Sequence, residues 1–254
     1  ISSAQALASK FRSTDQYLSD LNSSVNEQID GSVDQINTYA SKIAGLNQQI
    51  SQATAMASGQ PPNDLLDQRD LLVSQLSQVV DVKVLQQDNG KYNVFIATGQ
   101  SLVVGDYASQ MVSVNSAADP TRKAVALKGF GGNTAELDDG TFKGGVLGGL
   151  MTFRSETLIP TQNSIGRLAM SVADAVNAQH KLGVDLNGAL GQNFFNQAVP
   201  GVMSNAKNTG NLEIGASLTD ASKLTTSDYD VSVTNVSGTL TYTVTRLSDK
   251  TSMG

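Results

Sequence analysis

Apolar residues recur near the start of the chain at Leu18, Leu21, Val25, Ile29, Val33, Ile36, Ala40, Ile43, Leu46 and Ile50. That is nine steps over 32 residues, about 3.6 per step, the spacing that lays one apolar stripe along an α-helix. Leu7 and Phe11 extend the same face, so a helix is predicted over 5–57. Its length without internal caps points to a rod or a coiled-coil-like hairpin. Gly31 and Gly45 each cost ~1 kcal/mol relative to Ala, and a bend is expected at one of them. Ser58-Gly59-Gln60-Pro61-Pro62 predicts a turn. A second helix follows, antiparallel if that turn is tight. Asn63 is placed as its N-cap, Asp64 and Asp67 suit the positive end of its dipole, and Leu65, Leu66, Leu72, Leu76 and Val79 form its buried stripe.

From Val82 to Lys128 the period changes to two. Val82 and Val84 alternate, as do Tyr92, Val94 and Ile96, then Leu102 and Val104, Val112 and Val114, and Val125 and Leu127. Asp88-Asn89-Gly90 is a hairpin turn, because Asn and Gly tolerate positive φ. The pattern predicts one small antiparallel sheet of four or five strands. Residues 129–145, rich in Gly and Asp, form a loop back to the helical part.

Helix resumes from about Val146 to Leu182 with a stripe of Leu150, Phe153, Leu158, Ile165, Leu168, Val172 and Val176. Pro160 starts a new segment or kinks this helix, since it has no N–H to give the preceding turn. Residues 196–211 are irregular. A second β module is expected from about Leu212, with Tyr229, Val231 and Val233 alternating, a hairpin turn at Val236-Ser237-Gly238-Thr239, and a strand through Leu240, Tyr242 and Val244.

Composition narrows the function. The formal net charge is −6 with no run of Lys or Arg, which argues against nucleic acid, whose binding requires clustered cations. No apolar run approaches the ~20 residues that span a bilayer, so no membrane segment is expected. Without cysteine there are no disulfides or thiolate metal sites. No signal peptide is visible at Ile1-Ser2-Ser3-Ala4-Gln5. The start at Ile and the stop at Ser252-Met253-Gly254, just after a strand-like run, lead us to expect a fragment of a larger protein. Aromatics are only 5% of the chain, which suits thin helical layers better than a thick globular core.

Candidate chemistry is sparse. His180 is the sole histidine, and neither Asp174 nor Asp185 stands at helical i, i+4 spacing to it, so a polar residue at a helix C-terminus is the expected role. Asp185-Leu186-Asn187-Gly188 resembles the opening of a calcium loop but lacks the late acid; an Asn-Gly turn accounts for it. Asp67 and Asp70 share a helix face with Asp64 nearby, and Arg69 together with the cap position assigns them a structural role. Gly144-Gly145 and Gly148-Gly149 match neither phosphate-loop pattern, and close backbone approach explains them better. No catalytic set, cofactor site or metal site is expected.

Two ordered stretches carry a family resemblance. One is Asn63-Asp64-Leu65-Leu66-Asp67-Gln68-Arg69-Asp70, followed by Leu71, Leu76 and Val82. The other is Gly145-Val146-Leu147-Gly148-Gly149-Leu150, Phe153-Arg154, Leu168-Ala169, Asn177-Ala178-Gln179-His180, Gly183, Asp185, Gly188 and Phe194-Phe195. Together, separated by a β insert, they closely resemble the family of flagellar hook-associated protein 1, the first hook–filament junction protein. FRSTDQYL at 11–18 and Ser116-Ala117-Ala118-Asp119-Pro120-Thr121-Arg122 fit the same family.

The resemblance implies a structural protein of the bacterial flagellum, not an enzyme. It implies self-association in a ring between hook and filament, and contacts to the hook protein and the second junction protein. It further implies an extracellular location reached unfolded through the flagellar export apparatus, with a cytoplasmic export chaperone. Asn63, Asp64, Leu66, Asp67, Arg69, Asp70, Gly148, Gly149, Phe153, Arg154, Asn177, His180 and Gly183 then serve as packing or capping positions. The family's terminal helical segments are not found before Ile1 or after Gly254, so the isolated chain is expected to stay monomeric or associate weakly. The sequence as a whole predicts an α+β fold: a helical rod over 1–81 and 144–195, an inserted antiparallel β module at 82–143, and the start of a second β-rich domain at 196–254. Rival readings are flagellin or the second junction protein, then a secreted adhesin-type binding module.

Overall fold

One helix, α1 (Ser2–Met56), carries the predicted stripe: Leu18, Val25, Ile29, Val33, Ile36, Ala40, Ile43, Leu46 and Ile50 are all buried. The expected bend is not there. The helix runs unbroken through Gly31 and Gly45, and a Cβ at either would meet nothing within 4 Å. Burial of Ile29, Val33, Ile43 and Ala44 around these glycines offsets their weak helix propensity. The computed structural model describes residues 2–56, 62–96, 99–129, 132–197 and 199–253. Most of the turn predicted at Ser58–Pro62 therefore lies outside the described residues.

The chain forms two compact units, one of residues 21–154 with 204–209, the other of residues 1–20, 155–203 and 210–254. The first holds α1 from Leu21 onward and α2 (Asn63–Val79). Asn63 is not the cap of α2. It is the first helical residue, and Pro62 occupies the cap position without any side-chain cap bond. The Pro62 carbonyl instead accepts from the N–H groups of Leu65 at 3.0 Å and Leu66 at 3.2 Å. Proline restricts φ, which stands at −81° here, so the chain enters the helix one residue earlier than the Asn side chain implied.

The predicted single sheet is two sheets. β1 (Val82–Gln86), β2 (Tyr92–Ile96), β3 (Ser101–Val104) and β4 (Tyr107–Ala108) pair antiparallel in the order β1-β2-β3-β4. β5 (Gln110–Asn115), β6 (Lys123–Lys128) and β7 (Thr134–Glu136) form the second, order β5-β6-β7. The Asn89-Gly90 hairpin closes β1 onto β2, with Gly90 at φ 78°. β7 and a 3-10 turn at Asp139–Thr141 occupy the span expected to be loop. Strict alternation also fails. Leu102 and Val103 are both buried, as are Ala124, Val125 and Ala126, while Val84 and Val104 are exposed. Strands covered on both faces lose the in–out pattern that a one-sided sheet shows.

α3 (Gly145–Phe153) starts against the end of α2. Gly145 has φ 69°, and a Cβ there would lie 2.5 Å from the Val79 carbonyl carbon and 2.6 Å from the Val80 nitrogen. Gly148 is similarly confined by the Lys143 backbone, at 2.8 Å. Gly149 does not share the expected close approach: it is exposed, with nothing within 4 Å of its notional Cβ.

A π turn (Arg154–Leu158) follows α3, and α4 (Ile159–Lys181) begins with Pro160 in its first turn. The Pro160 ring collides with an ordinary i−4 carbonyl, and the wider turn relieves that clash. The stripe predicted from Leu150 to Val176 is not one continuous buried face. Leu147, Met151 and Leu158 are buried, whereas Leu168 is 53% exposed and Val176 is exposed too. In the same unit as α4, β8 (Tyr229–Val236), β9 (Thr239–Arg246) and β10 (Ser252–Met253) form a sheet of order β10-β9-β8. The first of these strands begins at Tyr229 rather than near Leu212. Ser237 and Gly238, at φ 54° and 87°, make the two-residue hairpin turn predicted between β8 and β9.

Gly145→Ala is expected to destabilise the protein by more than about 2 kcal/mol, from a left-handed φ and overlap with α2. Gly149→Ala, an open helical site, is expected to stabilise it by roughly 0.5–1 kcal/mol. Urea unfolding midpoints measure both, and equal effects would contradict the packing described.

Candidate functional site

The polar groups that hold the larger unit together are asparagines spaced along α1. Asn26 donates from Nδ2 to the Thr121 carbonyl at 2.9 Å and accepts the Lys123 N–H on Oδ1 at 2.9 Å. Asn22, one turn earlier, donates to the same Thr121 carbonyl at 3.0 Å. Asn37 clasps a single residue of the edge strand β5: its Nδ2 donates to the Met111 carbonyl at 2.8 Å, and its Oδ1 accepts the Met111 N–H at 2.9 Å. Each carboxamide thus supplies a donor and an acceptor side by side, matching a strand's backbone.

Asn47 is fully buried and fully used. Its Nδ2 donates to the carbonyls of Tyr92 at 2.8 Å and Gly105 at 2.7 Å. Its Oδ1 accepts from the Tyr92 N–H and from Arg69 Nη1, both at 3.0 Å. Two donors and two acceptor positions leave nothing unsatisfied on this side chain. Arg69, only 1% exposed, also donates from Nη1 to the Gly90 carbonyl at 2.8 Å. Its guanidinium lies 3.5 Å from the centre of the Tyr92 ring, a cation–π contact worth up to ~2 kcal/mol when desolvated. The Arg69–Asn47 bond ties α2 to α1. Arg69 is not the partner of the motif carboxylates: Asp64, Asp67 and Asp70 are exposed, while Leu66 is half-buried.

Arg154 repeats this arrangement at the end of α3. It is buried, donates from Nη1 to the Lys123 carbonyl at 2.6 Å, and pairs through Nη2 with Asp139 Oδ2 at 2.7 Å. Lys123 is thereby held on its N–H by Asn26 and on its carbonyl by Arg154. Phe153 before it is half-buried. Asp119, in the turn before β6, accepts the Thr121 N–H at 3.0 Å and pairs with Arg122 Nε at 2.7 Å. Segment 204–209 fastens to the same unit through the Ala206 N–H on the Ala117 carbonyl, 2.8 Å, and Lys207 Nζ on Glu136 Oε2, 2.8 Å.

In the other unit, Asn177 and His180 organise the chain beyond α4. Asn177, buried, accepts the N–H groups of Phe194 at 2.7 Å and Phe195 at 2.8 Å, and donates to the Phe195 carbonyl at 2.8 Å. His180 Nδ1 lies 2.6 Å from the Gln192 carbonyl, which makes Nδ1 the protonated nitrogen of that bond. Its ring meets Phe194 at 5.7 Å. The His180 carbonyl receives the Gly183 N–H at 3.1 Å and lies against Gly191. His180 is therefore a loop anchor as well as a helix-end residue. Asp185 closes an Asx turn, accepting the N–H groups of Asn187 and Ala189 at 2.8 Å each. Those donors, Ala189 first, hold its carboxyl below the usual range. On α4, Asn163 reaches the Thr226 carbonyl at 3.1 Å and Asp228 Oδ1 at 2.8 Å.

The sequence motifs led to Arg69, Arg154, Asn177 and His180 but missed Asn22, Asn26, Asn37 and Asn47. A signal existed: Asn26, Asn37 and Asn47 each follow a stripe residue, Val25, Ile36 and Leu46, at roughly three-turn intervals. Among the described residues no group of three His, Cys, Asp or Glu could hold a metal ion, and no helix is long and apolar enough to cross a membrane.

These features define a class: an α+β scaffold whose buried polar side chains bind backbone to backbone. The helical domain of flagellar hook-associated protein FlgK matches residues 1–195, and the D2-like domain of flagellar hook-associated protein 1 matches residues 203–254. The chain belongs to the flagellar hook-associated protein 1 family. It is 47% identical over 253 residues to flagellar hook-associated protein 1 of Escherichia coli K12, covering 96% of this chain and 46% of that protein. The Salmonella typhimurium protein of that name is 44% identical, over 98% of this chain and 46% of its own length. The structure of the flagellar hook junction protein FlgK from Burkholderia pseudomallei superposes with a TM-score of 0.91 at 43% identity, covering all of this chain and 45% of that one. The chain thus spans about half the length of the curated relatives it matches.

Asn47→Ala strips a donor or acceptor from Tyr92, Gly105 and Arg69 at once and is expected to cost at least about 3 kcal/mol. Asn22→Ala, which removes one exposed bond to a carbonyl that Asn26 still serves, is expected to cost about 1 kcal/mol or less. Chemical denaturation distinguishes the two.

A pH effect follows at Glu136. Burial opposes its charge, but bonds from Lys207, the Ser116 hydroxyl and the Ala117 backbone outweigh this and hold its pKa down. A depressed carboxylate stabilises the fold above its unfolded pKa, and that contribution is lost as pH falls through the folded value. Protection of the Ala206 amide from hydrogen exchange should therefore weaken on acidification in the native protein. In Glu136→Gln it should be weak at neutral pH already.

Proposed function

We propose that this chain is part of a hook–filament junction protein and works there as a structural, non-catalytic element. The observation that carries the reading is family membership across both matched regions, at 47% identity to a flagellar hook-associated protein 1. The clamps agree with it. Directional polar bonds between backbone segments resist shear, which thin apolar layers in a chain with 5% aromatics resist poorly.

On this reading the partners are other copies of the same protein in a ring, the hook protein and the second junction protein, with an export chaperone before secretion. The location is the flagellum, outside the cell, reached through the flagellar export apparatus. The motif positions Asn63, Asp64, Leu66, Asp67, Asp70, Gly149 and Gly183 serve packing or surface roles there, not chemistry. The half-open apolar face of α4 at Leu168, Val172 and Val176 supplies a surface for subunit contact.

The test is complementation of a flagellated host that lacks its first junction protein, using the full-length parent gene. Filaments regained on hooks support the reading; bare hooks with flagellin in the medium, despite normal secretion of the protein, overturn it. Leu168→Asp in that gene is expected to leave thermal stability within about 0.5 kcal/mol, because the site is exposed, yet to reduce the filament count by electron microscopy.

A further inference from the structure

The chain contains two Asn-Gly pairs, Asn89-Gly90 and Asn187-Gly188, in opposite physical settings. We propose that Asn187 is a site of spontaneous covalent modification, deamidation through a cyclic imide, and that the fold blocks the same chemistry at Asn89.

The reaction needs no enzyme and no redox partner. The Gly188 backbone nitrogen gives up its proton and attacks the Asn187 side-chain carbonyl carbon. A C–N bond forms, the carboxamide C–N bond breaks, and ammonia leaves. Water then opens the five-membered imide at either carbonyl, giving aspartate or isoaspartate. Glycine in the second position leaves the approach unobstructed, having no Cβ. What the fold controls is whether the glycine can move toward the side chain.

At Asn187 it can. Residues 181–190 are exposed throughout, and the Gly188 N–H makes a 3.1 Å bond to the Asp185 carbonyl. The turn is closed by the bonds of Asp185 and one bridge, Val184 to Leu190. All these groups reach water when the turn opens, so opening leaves no buried donor unpaired.

At Asn89 it cannot. That pair closes a ladder of five residue pairs between β1 and β2. The Gly90 N–H is bonded to the Gln87 carbonyl at 2.8 Å, and Asn89 Oδ1 accepts the Lys91 N–H at 3.1 Å. Above all, the Gly90 carbonyl is the acceptor for buried Arg69 at 2.8 Å. Moving Gly90 to close the imide strips that partner from a desolvated guanidinium.

The product has a local consequence. Isoaspartate lengthens the backbone inside the turn and adds a carboxylate beside Asp185. The turn connects Gly183 to Gly191, both of which lie against the His180 carbonyl. Ageing of the protein is therefore expected to shift the His180 ring resonances.

The test incubates the purified protein at mildly alkaline pH and maps both peptides by mass spectrometry, with isoaspartate assayed separately. In the folded protein, conversion at Asn187 is expected to run at least roughly tenfold faster than at Asn89. In concentrated urea the two rates should converge, because the sequence context is then all that acts. Gly188→Ala should slow conversion at Asn187 and leave Asn89 unchanged. Comparable rates in the folded protein overturn the proposal, as does Asn89 reacting first, or conversion at Asn187 seen only in urea.

Discussion

Everything in the larger unit depends on one match, between an asparagine carboxamide and the backbone of a strand. A strand on the edge of a sheet presents N–H and C=O groups with no ladder partner, and burying them unpaired costs about 1–3 kcal/mol each. α1 meets this demand from its own side chains. Asn37 takes both groups of Met111 on the edge strand β5, Asn26 holds the start of β6, and Asn47 holds the start of β2. A one-residue slip of either sheet would break these pairings and turn every strand side chain over, so the clamps also set register.

Two buried arginines extend the same logic. Arg69 and Arg154 donate to backbone carbonyls of Gly90 and Lys123, and so link α2 and α3 to the strands that α1 already holds. Arg69 does so above an aromatic ring, and Arg154 with Asp139 as counter-ion. A guanidinium suits this work because its fork of donors is rigid and its hydration weak. In the other unit Asn177 performs the carboxamide version on Phe194 and Phe195.

Much of the fold was legible in the sequence, for identifiable reasons. The α1 stripe, the Asn89-Gly90 and Ser237-Gly238 hairpins, and the close approach at Gly145 follow from local periodicity and φ preferences. What was not legible depends on tertiary context. Proline at position 62 displaced the cap from Asn63. Burial on both faces at Leu102–Val103 and Ala124–Ala126 hid the division into two sheets. Leu168 and Val176 of the predicted stripe stand at the surface, because periodicity marks an apolar face without saying whether anything covers it. The asparagines on α1 looked like ordinary polar helix residues, because nothing in a single sequence says what a side chain will meet across the core. The family motifs marked Arg69, Arg154, Asn177 and His180 without disclosing that each binds backbone.

The most direct measurement is native-state hydrogen exchange at the amides of Tyr92, Met111 and Lys123, the strand N–H groups held by the α1 asparagines Asn47, Asn37 and Asn26. If the clamps organise the unit, these amides exchange only through global unfolding, with protection equal to that of amides deep in the β5–β6 ladder. Exchange as fast as that of exposed loop amides, with the ladder still protected, would show that the strands hold themselves and that the clamps are incidental.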